Sequence, residues 1–138
     1  MQIYSSFISF ESKKENHLID LTEKVEKELK QSKLKEGIVF LFAVGSTCAL
    51  TTIEFEPGLQ KDFPEFLDKI IPRGKYHHDL TWHDGNGHSH VRASLLKPDL
   101  FIPFSKGKLL TGTWQQIAFI ELDNKPRTRK VEIKILGE

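Results

Sequence analysis

The run Ile38-Val39-Phe40-Leu41-Phe42-Ala43-Val44 limits the folds open to this chain more than any other segment. Its seven consecutive apolar residues are rich in β-branched and aromatic side chains, and Gly37 and Gly45-Ser46 bound it. That pattern predicts a central strand buried on both faces. A chain of 138 residues can bury such a strand in one domain.

The neighbouring segments read mostly as further strands. Residues 3–10 alternate, with Tyr4, Ile8 and Phe10 on one face, and His17–Ile19, Thr47–Glu54 and Leu100–Phe104 follow the same period. Thr113–Leu122 is apolar on both faces, and in the last strand Arg129 shares a face with Val131, Ile133 and Ile135. From His88 the chain alternates again: His88, His90, Arg92 and Ser94 against Val91, Ala93 and Leu95. Two segments have helical spacing. One is capped by Asp20 or Thr22, runs to Ser32 and carries Val25 and Leu29 on one face. The other opens at Pro57-Gly58 and restarts at Asp62, because Asp62-Phe63-Pro64-Glu65 has capping-box spacing and Pro64 is awkward inside a helix. The expectation is one α+β domain over residues 1–138, a mainly antiparallel or mixed β-sheet sandwich with two helices. Its strands expose more apolar surface than two helices can cover, which predicts a homotrimer.

Charge and composition exclude several roles. A formal net charge of +1 gives no basic footprint for nucleic acid. No apolar stretch approaches the roughly 18 residues of a membrane span, and Met1–Ser5 lacks the basic and apolar regions of a signal peptide. Cys48 is the single cysteine, so no intrachain disulfide forms. With no basic neighbour to activate it, Cys48 reads as a buried, inert thiol. A cytoplasmic protein with neither nucleic-acid nor membrane partners is expected.

Chemistry concentrates between Tyr76 and Arg92. Five of the six histidines lie there, at positions 77, 78, 83, 88 and 90, with Asp79, Asp84 and Asn86 among them. Imidazole is both the commonest neutral metal ligand and the usual proton carrier near neutral pH. On a strand, His88 and His90 would project to one side, and His77 or His78 could complete a three-nitrogen site with an open position, as in catalytic zinc centres. The alternative is a row of surface histidines on a polar strand face. Asn86-Gly87 marks a tight turn or offers an amide to a ligand. Trp82 serves as a lid or a staple. Glu54 either points inward from its strand or ends it in solvent. Inward-facing Arg127 and Arg129 need anions, either a carboxylate such as Glu121 or a ligand phosphate. Thr111-Gly112-Thr113-Trp114-Gln115-Gln116 suits a pocket wall or a subunit contact.

Read in order, Gly45-Ser46-Thr47, Thr51-Thr52-Ile53-Glu54, Asp62, Tyr76-His77-His78, Asn86-Gly87-His88-Ser89-His90, Gly112-Thr113-Trp114-Gln115, Glu121-Leu122-Asp123 and Arg127-Thr128-Arg129 resemble the YjbQ-like family of secondary thiamine-phosphate synthases. The resemblance spans nearly the whole chain. It implies a trimeric α+β fold with a polar site at or near subunit boundaries. By position it implies Glu54, Asp62, His78, Asn86, His90, Trp114, Gln115, Glu121 and Arg129 as site residues. Many members have His-Thr-Thr where this chain has Gly45-Ser46-Thr47, and His88 is expected to compensate for the missing imidazole.

The implied reaction joins a pyrimidine-methyl diphosphate to a thiazole phosphate and releases pyrophosphate, as a main or a side activity. Glu54 and Asp62 are expected to hold magnesium or position a base, and His78 and His90 to move protons. Asn86, Arg92, Trp114, Gln115 and Arg129 would bind the phosphorylated substrate. His78, His88 and His90 are the expected metal ligands, with zinc or magnesium as the ion and no organic cofactor. The competing readings are a histidine-dependent metal hydrolase or lyase, and a non-catalytic trimeric protein that binds an anion or a metal.

Overall fold

Alternation within each strand decides which half of every apolar run is covered. The computed structural model describes residues 1–13 and 15–138. In chain order the elements are β1 (Gln2–Glu11), β2 (His17–Asp20), α1 (Thr22–Ser32), β3 (Gly37–Val44), β4 (Cys48–Ile53) and α2 (Leu59–Ile70). Then follow α3 (His78–Trp82), α4 (Gly87–Leu96), β5 (Asp99–Ser105), β6 (Lys108–Leu109), β7 (Gln116–Glu121) and β8 (Thr128–Gly137). Two sheets form, β1-β8-β3-β5-β6 and β2-β7-β4, with every described pairing antiparallel. The α+β expectation holds with four helices in place of two.

The inner face of the large sheet supplies Val39, Leu41, Ala43, Ile102, Val131, Ile133 and Ile135 to the main core. Cys48, Leu50, Ile117 and Phe119 of the small sheet close it, together with Val25 and Leu29 of α1. Those two α1 residues are the ones the helical spacing selects. The cap position falls on Leu21, with no side-chain cap, in place of Asp20 or Thr22; Asp20, one residue earlier, accepts the Thr22 amide at 2.9 Å. On the other side of the small sheet, Ala49, Ile120 and Leu122 pack with Leu67 of α2 and Ala93 of α4.

β3 is not buried on both faces. Val39, Leu41 and Ala43 are buried, whereas Ile38, Phe42 and Val44 stand on an open face. The register aligns Ile3 with Ile38 across β8, and Phe7 with Phe42, while Phe40 faces Phe101 directly. The Phe40 and Phe101 rings lie 4.8 Å apart. No layer of this chain covers these side chains among the described residues.

Two helices depart from the expectation. α2 runs unbroken through Pro64, and the Glu56 carboxylate, not Asp62, accepts the amides of Gly58 and Leu59 at its start. Asp62 lies exposed in the first turn. Residues 88–94 form helix α4 rather than a strand. Its buried residues are Gly87, His88, Ser89, Arg92 and Ala93, which is helical spacing. That inward face is mostly polar, so apolar periodicity does not reveal it. Gly87 admits the close approach of Tyr76, whose Cβ would lie 2.4 Å from any Cβ added there.

Candidate functional site

The helical turn of α4 redistributes the histidines. Residues two apart on a helix point about 200° from each other, so His88 and His90 diverge. His88 is buried and its Nε2 lies 3.2 Å from Glu15 Oε2. Arg92, fully buried, donates through Nε and Nη2 to the Ile71 carbonyl and through Nη2 to Asp68 at 2.8 Å. Arg73 also reaches Glu15, at 2.7 Å. His88 and Arg92 therefore anchor α4 to the β1–β2 connection and to the end of α2. Neither joins the site expected of it: both turn to partners within the chain, and Arg92 Nη1 is buried without a hydrogen-bond partner among the described residues. The three-histidine metal set is not assembled.

His90 turns the other way and meets His78 of α3, with ring centroids 4.3 Å apart. His78 Nδ1 lies 3.2 Å from Asp79 Oδ1 and 3.6 Å from Asp84 Oδ1. One donor atom from each of these three residues falls within 4.8 Å of the other two. Neighbouring ligands on a small divalent ion with bonds near 2.1 Å sit about 3 Å apart, so the separations suit one ion. One nitrogen and two carboxylate oxygens make a harder donor set than three imidazoles, closer to magnesium or manganese than to a His₃ zinc centre. The His78–Asp79 hydrogen bond holds two of these atoms in place, and Asp79 also accepts the Gly87 amide at 3.0 Å.

A polar hollow of about 280 Å³ opens beside this group, lined by Gly45, Ser46, Thr47, Asp84, Asn86, His90, Asp123, Arg127 and Arg129. Asn86 is buried; its amide oxygen accepts the Asn124 N–H at 3.2 Å, which ties α4 to the β7–β8 turn. Glu121 accepts two hydrogen bonds from Arg129, at 2.7 and 2.5 Å, and one from the Ser12 hydroxyl. Arg129 Nη2 also donates to Thr47 Oγ1 at 2.8 Å. Of the two partners weighed for Arg129, the carboxylate is present. Asp123 accepts from Thr47 Oγ1 at 2.9 Å and from Arg127 Nε at 3.0 Å.

Burial, then the neighbouring His78, lowers the His90 pKa, with Asp84 and Asp123 opposing them. His90 is thus biased toward the neutral form that accepts a proton. Burial opposes ionisation of Asp79 and Asp123, but hydrogen bonds outweigh it and lower both: from His78 and Gly87 to Asp79, and from Thr47, Lys125 and Arg127 to Asp123. Burial also works against the charge of Arg129, yet the Glu121 hydrogen bonds leave its pKa raised. Cys48 is buried as expected, and burial pushes its thiol up to about 11.

The remaining candidates lie elsewhere. Glu54 and Trp114 line a separate hollow of about 370 Å³ with Asp20, Glu56 and Gln116. Trp114 is 72 % exposed. Gln115 donates to Thr52 Oγ1 at 3.0 Å and accepts the Gly112 amide at 3.1 Å. Asp62 lines neither hollow. Sequence reasoning did not single out Asp79 and Asp84 as candidate ligands, although both lie with His78 in the histidine-rich stretch. It also missed Asp123 as a wall of the hollow, and Glu15 as the partner of His88.

Residues 6–138 match the family described as UPF0047 protein YjbQ-like, and the chain belongs to that family. A UPF0047 protein of Archaeoglobus fulgidus is 38 % identical over 130 residues, covering 94 % of this chain and 98 % of its own. The UPF0047 protein YugU of Bacillus subtilis is 30 % identical over 132 residues, covering 94 % and 97 %. The fold is similar to that of a YbjQ-like protein from Sulfolobus solfataricus, with TM-score 0.88, 31 % identity and coverage of 99 % and 100 %. No helix among the described residues is long and apolar enough to cross a membrane.

Proposed function

We propose that the chain is a divalent-cation-dependent enzyme acting on a small phosphorylated substrate. The observation that carries this reading is the convergence of His78, Asp79 and Asp84 beside His90, next to a hollow that Asp84 and His90 line together with Arg127 and Arg129. Loss of a diphosphate develops negative charge that preorganised cations stabilise. A magnesium or zinc ion held by His78, Asp79 and Asp84 would supply that charge. Arg129 and Arg127 orient the phosphate oxygens, Asn86 fixes α4 against the β7–β8 turn, and His90 takes up or returns a proton at its free nitrogen.

The reaction proposed is the one the family resemblance implies, coupling of a pyrimidine-methyl diphosphate with a thiazole phosphate. The test is pyrophosphate release by chelator-treated protein with magnesium or zinc restored. Release that requires both substrates and the ion, and falls at least about tenfold in His90→Ala, is expected. Release from the diphosphate alone would favour a metal hydrolase. Ion binding without turnover of either substrate would indicate a binding protein.

We also propose a cytoplasmic homotrimer. The open face of the large sheet exposes Ile3, Phe7, Ile38, Phe42 and Phe101 around the charged row Lys130, Glu132 and Lys134 of β8, a mixed apolar and polar surface of the kind found in subunit contacts. Light scattering should return three times the 15.9 kDa chain mass. A monomer at micromolar concentration would refute the assembly.

A further inference from the structure

Gly45 occupies the wall of the polar hollow with φ of 146°, in the half of backbone space that favours glycine. A Cβ there would lie 2.6 Å from Arg129 Nη1 and 3.1 Å from Cys48 Sγ. The guanidinium cannot simply give way, because Glu121 and Thr47 hold it through Nε and Nη2. The absence of a side chain at position 45 is therefore what lets an arginine nitrogen stand at this point of the wall.

Arg129 is only 7 % exposed, and all its hydrogen bonds leave from Nε and Nη2. Nη1 has no hydrogen-bond partner among the described residues. A planar guanidinium aims its donors in fixed directions, so the two N–H groups of Nη1 remain available to a ligand beside Gly45. Glu121 balances the charge of Arg129, and Arg127 balances that of Asp123. Asp84 is then the carboxylate on this wall without an arginine partner, and it repels an anion until a cation neutralises it.

We infer that Gly45 is the specificity-determining position of a phosphate subsite in which Arg129 Nη1 donates to a phosphoryl oxygen. The subsite deepens the reading given above and rests on it, because the cation held by Asp84 removes the repulsion that an entering phosphate would meet. Cation and phosphate consequently bind cooperatively, each raising the affinity of the other.

The experiment is calorimetric titration of the full chain with pyrophosphate, with and without saturating Mg²⁺, for the parent, Gly45→Ala and Arg129→Lys. Pyrophosphate should bind more tightly with Mg²⁺ present, and about tenfold or more weakly in each variant, as expected for loss of a charge-assisted bond. Mg²⁺ binding alone should be unchanged. Pyrophosphate affinity equal in all three proteins overturns the subsite. If the parent takes up no Mg²⁺, the cation reading fails, and the metal-free pyrophosphate titration of the variants decides the subsite separately. If a variant fails to fold by circular dichroism, the Arg129 guanidinium resonances of the parent decide. A saturable shift with pyrophosphate supports the subsite, and no shift rules it out.

Discussion

Arg129→Gln should cost about 3–5 kcal/mol of folding stability, the range for breaking one partner out of a buried ion pair. Arg129 is 7 % exposed and Glu121 not at all. Removing the guanidinium leaves the Glu121 carboxylate charged in the interior, with the Ser12 hydroxyl and the Asp123 amide as its remaining partners. Thr47 loses a partner in the same step. Since a domain's total stability is about 5–15 kcal/mol, such a loss is a large part of the whole. Urea denaturation of the parent, Arg129→Gln, Glu121→Gln and the double variant would measure it. The double variant should lose less than the sum of the singles, because the second change relieves the charge stranded by the first. Losses below about 1 kcal/mol, as for a solvated pair, would contradict the burial. A role for Nη1 in binding is compatible with this structural one, since the two use different nitrogens of one side chain.

The second large effect separates the histidines. His78→Ala removes the nitrogen at the centre of the cation group and should weaken binding of Mg²⁺ or Mn²⁺ by more than about a hundredfold, beyond the 10–100-fold typical of an outer-shell change. The fold should survive, since His78 is partly exposed and its hydrogen bond goes to a neighbouring residue. His88→Ala should do the reverse. It leaves Glu15 buried with one partner fewer and opens a void beneath α4, so it should lower stability while ion affinity is retained in the folded protein. Titration calorimetry with melting curves distinguishes the two. Equal loss of ion binding in both variants would restore the three-histidine site.

The fate of His88 also shows where sequence reasoning stops. α1 was legible because Val25 and Leu29 repeat at helical spacing and face the core. The outline of β3 was legible from its apolar run, but an unbroken run carries no information about which face stays open. α4 was misread because its inward side is built from His88, Ser89 and Arg92, and a polar buried face mimics strand alternation when only apolar residues are tracked. The bond that explains His88 joins it to Glu15, 73 residues away, and no local spacing announces it. Asp79 and Asp84 were visible as neighbours of His78. Their placement around His78 depends on the short helix α3 and the left-handed turn at His83, φ 53°, which fold the two carboxylates back onto one imidazole. Glu54, Trp114 and Gln115 matched the family pattern in order, yet one chain does not bring them to His78.

An anomalous-difference map from a crystal of the parent protein soaked in Mn²⁺ would locate the ion directly. One peak per chain is expected within bonding distance of His78 Nδ1, Asp79 Oδ1 and Asp84 Oδ1, beside the hollow lined by His90 and Arg129. A peak on His88, or no peak at saturating Mn²⁺, would contradict it.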